Sequence, residues 1–156
     1  MAIGYKAITV ANYIIDYSNR NNKPVSNLKL QKLLYYVQAA FLVERSKPAF
    51  SNDISAWKYG PVVESVYHVF KIYANDSINH INEDITSDII SDIEDKEIIE
   101  KVVSSYFEYD PIQMMLKTHR EDPWINSNKL EKGSIIGNDD IKEFYSQNRG
   151  LIYGNK

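Results

Sequence analysis

The chain has 156 residues, of which 44% are hydrophobic, and its formal net charge is -3. This length predicts a single domain over residues 1–156, whose core buries roughly two thirds of the surface that the unfolded chain exposes. The acidic balance argues against broad binding of nucleic acid, which usually requires a concentrated basic face. The sequence has no cysteine, which excludes disulfides and thiolate metal sites. We expect a cytoplasmic protein, because the N-terminus has neither a signal-peptide pattern nor a long apolar run.

Two amphipathic helices are predicted at the start of the chain. Residues 7–18 carry apolar side chains at helical spacing, and a polar break follows them. Ser26 is suited to cap the second helix, because its hydroxyl can accept a hydrogen bond from a free backbone N–H. This helix ends near Ser46, since Pro48 cannot continue it. Its apolar stripe predicts a core helix and consists of Leu30, Leu33, Leu34, Val37, Ala40 and Phe41.

A short β-hairpin or a pair of edge strands is predicted over residues 49–59, where apolar and polar side chains alternate after a turn-prone segment. Gly60 and Pro61 then predict the end of the strand and the start of a third helix, with proline at the first helical position. Glu64 lies in the first turn, where the helix dipole favours a carboxylate. We expect this third helix to run to about Ala74.

The middle of the chain is less regular. Residues 75–92 are rich in Asn, Asp and Ser, which predicts a loop with one weak strand near residues 77–81. Residues 93–107 repeat apolar side chains at helical spacing and predict a fourth helix. The polar loop has no distinctive motif.

The last third predicts further short helices. Asp110 is a candidate N-cap, with Pro111 at the first position of a helix that ends around Thr118. Residues 122–124 predict a turn or a short helix, and Asn138 is expected to cap the last helix. The whole pattern predicts a mainly α fold, a compact helical domain of about six helices with a small β-hairpin between the second and third helices.

Lys29, Lys32 and Tyr36 have the spacing i, i+3 and i+7, which predicts a small basic and aromatic ridge on the second helix. Such a ridge on an acidic protein could receive carboxylates or a phosphate from a partner. The alternative is a solvated face on which the lysine stems cover apolar surface. For Trp57 and Trp124, a packed position in the core is the favoured interpretation.

His119, Glu121 and Asp122 form the most reactive-looking segment, because a histidine beside two carboxylates could be held in one tautomer or ligate a metal. A metal site would still need a ligand from elsewhere in the chain. The alternative is a structural histidine that is hydrogen-bonded at a helix end. The glycines match neither a phosphate-binding loop nor a dinucleotide fingerprint, so we predict that the protein is not an enzyme and has no cofactor.

Three segments together resemble the signature of the Panacea domain, the SocA-like antitoxin family that includes many phage-associated proteins. They are SNLKLQKLLYY at residues 26–36, AWKYGPVV at 56–63 and LKTHREDPW at 116–124. The resemblance covers nearly the whole chain. It implies a mostly helical, non-catalytic domain that neutralises a partner toxin by direct binding. In the SocA branch it also implies an adaptor that delivers the toxin to a ClpXP-type protease.

The resemblance suggests two classes of residue in these segments. One class maintains the frame, with Lys32 in possible internal ion pairs with Glu64 or Glu121. Its structural members are Gln31, Trp57, Gly60, Pro61, Pro123 and Trp124. The other class consists of candidate partner-binding residues, which are Lys29, Lys32, Tyr36, Tyr59, Glu64, His119 and Glu121.

Three other functions are compatible with the sequence. The protein could be a DNA-binding regulator of its own operon, as antitoxins often are, although its acidic charge does not favour this. It could be a phage counter-defence protein that neutralises a host protein. It could also be a metal-dependent hydrolase centred on His119, Glu121 and Asp122.

Overall fold

A computed structural model describes residues 4–82, 88–131 and 133–155. Within these ranges the chain is mainly α-helical, with one antiparallel hairpin between the second and third helices, as predicted. The eight described helices include a short last one that the sequence did not predict. The elements are α1 (Ala7–Arg20), α2 (Asn27–Arg45), β1 (Ser55–Trp57), β2 (Gly60–Val62), α3 (Glu64–Phe70) with a 3-10 turn (Lys71–Tyr73), α4 (Ile93–Ser105), α5 (Pro111–Thr118), α6 (Asp122–Leu130), α7 (Asn138–Ser146) and α8 (Arg149–Ile152).

The helix α2 lies at the centre of the structure. It is buried on all sides, and 16 of its 19 residues are buried. A helix with only one apolar stripe would normally leave its polar side in water, but here the polar side is covered as well. The elements that contact α2 are α1, α3, α4, α5, α7, α8 and β2.

Local capping signals set two of the helix starts as predicted. The Ser26 hydroxyl accepts a hydrogen bond from the Lys29 N–H, at 3.3 Å. Asp110 and Gln113 form a reciprocal capping box at the start of α5, with both hydrogen bonds at 2.8 Å. The helix α2 ends at Arg45, before a residue in the left-handed conformation.

The prediction that Pro61 starts the third helix is wrong. Pro61 lies in β2, opposite Ala56 of β1, and α3 begins at Glu64. The N–H of Ala56 donates to Ser134 (2.8 Å), and its carbonyl accepts from Gly133 (3.1 Å), so both groups point away from β2. No ladder hydrogen bond is therefore required from Pro61, which has no N–H to give.

Two other predictions are corrected. The described residues 77–81 form no strand; Ile78 is buried and makes one backbone hydrogen bond to Val25, at 2.8 Å. Residues 83–87 of the predicted loop lie outside the described ranges. Asn138 is the first residue of α7 rather than its cap, and its side chain accepts a hydrogen bond from Gln38 instead (3.3 Å).

One cluster of buried hydrophobic side chains runs from Ala7 in α1 to Ile152 in α8. The first and last helices therefore pack into the same core as α2. Among the described helices, none combines the length and the apolar character that crossing a membrane requires.

Candidate functional site

Two side chains of α2 hold the outer edge of β2. The Lys32 ammonium donates a hydrogen bond to the carbonyl of Pro61 (3.1 Å), and the Gln31 carbonyl oxygen accepts one from the N–H of Val63 (2.9 Å). The Gln31 amide is itself fixed by donating to Asn27, at 2.9 Å. These contacts satisfy backbone groups that an open edge strand would offer to other chains. They also fix the hairpin to the central helix.

Gly60 lets the hairpin approach α2 closely. Its φ is +102°, and a Cβ there would lie 2.7 Å from Lys32 Cε and 2.8 Å from Thr118 Oγ1. No described carboxylate lies within ion-pair distance of Lys32, so the predicted pairs of this lysine with Glu64 or Glu121 are wrong. Burial without a counter-ion lowers the pKa of Lys32 to about 7.

A buried polar network surrounds Glu121. One carboxylate oxygen accepts hydrogen bonds from the hydroxyls of Tyr36 (2.8 Å) and Tyr145 (2.6 Å), and the other lies 2.7 Å from the Lys117 ammonium. The Tyr35 hydroxyl lies 3.0 Å from that of Tyr145. We call these five residues the Glu121 network. The carboxylate is satisfied on both oxygens, as a buried charge requires.

Lys117 connects the Glu121 network to the C-terminal helix. Its ammonium also donates to the backbone carbonyl of Leu151 and, at 3.2 Å, to the hydroxyl of Tyr36. It lies 4.4 Å from the centre of the Tyr36 ring, which stacks on Tyr106 with 5.0 Å between ring centroids. Burial lowers the pKa of Lys117, and the charge of Glu121 opposes that shift. Burial also raises the pKa of Tyr36 and of Tyr145.

His119 lies apart from this network. Its imidazole stacks on the indole of Trp124, with 4.0 Å between centroids and 21° between planes, and its Nε2 is buried without a hydrogen-bond partner. Burial lowers the pKa of His119, a hydrogen bond with the Lys58 backbone raises it, and the charge of Lys32 lowers it.

The alternative of a metal site on His119, Glu121 and Asp122 is not assembled. Glu121 lies in its own network, while Asp122 is exposed at the start of α6. Within the described ranges, no three His, Asp or Glu side chains are placed to hold a metal ion.

Two tryptophans join α6 to the hairpin. The Trp124 indole N–H donates to the backbone carbonyl of Trp57 (2.9 Å), and Pro123 is buried in the first turn of α6. Trp57 is half-buried, and its own indole N–H donates to Glu64 (3.4 Å). The hydroxyl of Ser55 donates to the same Glu64 oxygen, at 2.7 Å. The second and third sequence segments are therefore in direct contact.

Residues 30–125 match the family profile described as Antitoxin SocA-like, Panacea domain. This chain belongs to that family. It is similar to Antitoxin SocA of Caulobacter vibrioides (strain NA1000 / CB15N), with 42% identity over 85 residues, which are 54% of this chain and 44% of the relative. The match thus spans less than half of that relative's length. No solved structure gives a significant match.

In this Panacea domain, the candidate partner-binding residues differ in how deeply their side chains are buried. Lys29, Lys32 and Tyr36 form no surface ridge, because all three are buried. Lys29 donates instead to the carbonyls of Tyr106 (2.7 Å) and Tyr109 (2.6 Å). The expectation of a solvated or ligand-receiving ridge is therefore wrong.

The other candidates lie at different depths. Glu121 is buried and His119 is half-buried, whereas Glu64 and Tyr59 are exposed. The Tyr59 side chain is 56% exposed. Of these seven candidates, only Tyr59 in the hairpin turn and Glu64 at the start of α3 are exposed to solvent.

The sequence did not predict a polar cluster that includes Lys117, Tyr106 and Tyr145. One signal was available, since Lys117 and Glu121 have the i,i+4 spacing that allows an ion pair on one side of a helix. Tyr145 had no such signal. It is 24 residues from Glu121 and reaches the network only because α7 packs on α2.

Proposed function

We propose that this protein is a non-catalytic antitoxin that neutralises a partner toxin by binding it directly. The observation that carries the proposal is membership of the Antitoxin SocA-like, Panacea domain family, with the similarity to Antitoxin SocA. We propose that residues 1–156 form one Panacea domain. Tight binding would block the toxin without any chemical step by the antitoxin.

The contacts of the signature residues support this proposal. The charged and polar groups of Gln31, Lys32, Lys117 and Glu121 bond inside the protein. Fully satisfied buried networks favour a single rigid arrangement. The signature therefore supplies a rigid frame, and an exposed surface on that frame binds the partner.

Co-expression with the adjacent gene tests the proposal. We expect the neighbouring product to arrest growth when expressed alone, and growth to return when this protein is expressed with it. The two proteins should then co-purify as a stable complex. A neighbour that is harmless alone, together with no complex between the purified proteins, would refute the antitoxin function.

We further propose that the bound toxin is delivered to a ClpXP-type protease. The half-life of the toxin, measured after translation is stopped, should then shorten when the antitoxin is present, and only in cells that contain the protease. Unchanged toxin half-life with full protection of growth would leave direct binding as the whole mechanism.

A further inference from the structure

An exposed apolar strip runs along one side of α5 toward the hairpin. Ile112, Leu116 and His119 have the spacing i, i+4 and i+7, so they lie on one side of the helix. Ile112 is 53% exposed and Leu116 is 47% exposed, although both are large aliphatic side chains. The strip is therefore a helix side that no described element covers.

The hairpin continues this strip. His119 stacks on Trp124, whose indole N–H donates to the carbonyl of Trp57 in β1 (2.9 Å), and Tyr59 in the hairpin turn is 56% exposed. Gly60 in turn lies against Thr118 at the end of α5, as its close Cβ distance shows. The hairpin turn and the side of α5 thus form one surface, which we call the hairpin–α5 surface.

This surface carries two exposed cations on a protein whose formal net charge is -3. Lys58 is exposed, with its ammonium 5.4 Å from the Tyr59 ring centre, and Arg120 is exposed in the turn that follows α5. Neither cation pairs with a carboxylate among the described residues. Of the carboxylates near Arg120 in sequence, Glu121 is buried in its network and Asp110 caps α5, whereas Asp122 is exposed at the start of α6.

Given the antitoxin function proposed above, we infer that the hairpin–α5 surface docks an acidic segment of the toxin that also carries apolar side chains. Leu116, Ile112 and the Tyr59 ring supply apolar contact area, and tyrosine is enriched among residues that dominate binding. Lys58 and Arg120 attract the carboxylates and orient the segment. Because both cations are exposed and neither pairs with a described carboxylate, they are available to a partner.

Two pairs of variants test this inference against the purified product of the adjacent gene. Lys58→Glu with Arg120→Glu should weaken binding by at least about tenfold and abolish growth protection. The matched control is Lys71→Glu with Lys142→Glu, which changes the net charge equally at two exposed lysines elsewhere. Leu116→Ala should also weaken binding, whereas Ile93→Ala removes an exposed side chain on α4 and should not.

The salt dependence of binding tests the acidic character of the partner. Affinity of the unmodified protein should fall as NaCl rises from about 0.05 to about 0.5 M, and Lys58→Glu with Arg120→Glu should flatten that dependence. Circular dichroism and thermal unfolding should match the unmodified protein in every variant.

The outcomes separate the two proposals. If the unmodified protein binds and protects but both test variants bind as well as their controls, the hairpin–α5 surface is wrong and the antitoxin function stands. Salt-independent binding would overturn the acidic partner segment. If the unmodified protein neither binds nor protects, the antitoxin function fails, and this inference fails with it.

Discussion

The Lys117 ammonium lies 2.7 Å from the Glu121 carboxylate, one helical turn along the chain, and both side chains are almost fully buried. Arg20 and Asp16 form a second pair with the same sequence spacing and a similar distance, 2.9 Å, but both are exposed. The two pairs differ in burial, and the buried pair also shares hydrogen bonds with Tyr36 and Tyr145. Their comparison therefore separates the effect of burial from the effect of pairing.

Glu121→Gln should destabilise the protein strongly. The substitution leaves Lys117 as a buried charge without its counter-ion, and breaking a buried pair in this way costs about 3–5 kcal/mol. Asp16→Asn is the control and should cost less than about 1 kcal/mol, because water solvates Arg20. Urea unfolding measures both. Equal losses in the two variants would show that the buried pair has no special role.

Stability should rise with pH above neutrality because of Lys32. Its pKa falls from 10.5 to about 7 on burial, so between these values the unfolded chain holds a proton that the folded chain has released. The free energy of unfolding then increases with pH by at most about 1.4 kcal/mol per unit. Below about pH 7 both states are protonated, and the contribution is constant.

Lys32→Met is the variant that checks this dependence. The methionine has no proton to release, so the rise in unfolding free energy between about pH 7 and pH 9 should be smaller by the Lys32 contribution. Urea unfolding at several pH values measures the slope. This range stays below the ordinary tyrosine pKa of about 10 in the unfolded chain. If the unfolding free energy rises with pH by the same amount in both proteins, the lowered pKa is not that of Lys32.

Gly60→Ala should destabilise the protein more than Gly133→Ala. Both glycines have positive φ, +102° and +80°, so each substitution introduces backbone strain of order 1–3 kcal/mol. Only at Gly60 would the new methyl also collide with Lys32 and Thr118, whereas nothing lies within 4 Å of the same position on Gly133. Thermal unfolding of both variants gives the comparison. A larger loss at Gly133 would argue against close hairpin packing.

Tyr145→Phe should cost about 1.5–3 kcal/mol, because it removes a buried hydrogen bond to the Glu121 carboxylate. Tyr153→Phe is the matched control, since the Tyr153 side chain is half-buried and its hydroxyl makes no hydrogen bond within the described ranges. Urea unfolding should show little change for the control. If both variants lose a similar amount of stability, the loss in Tyr145→Phe does not come from its hydrogen bond to Glu121.

Several features of the fold could be predicted from short stretches of sequence. The Ser26 cap, the Asp110 cap and the mainly helical pattern were predicted, and the structure confirms them. Each depends on side chains and backbone groups within about one helical turn. The hairpin between α2 and α3 was also predicted, but its second strand was placed incorrectly. A proline after glycine is compatible both with a helix start and with a strand.

The polar interior was decided by tertiary structure. The spacing of Lys29, Lys32 and Tyr36 places them on one helix side, but spacing cannot tell whether water or another helix covers that side. Pairing of β1 with residues 133–134 allowed Pro61 to occupy a strand. Packing of α7 on α2 brought Tyr145 to Glu121 across 24 residues. Sequence determined the local hydrogen bonds of each element, while long-range packing decided which charged groups lost their contact with water.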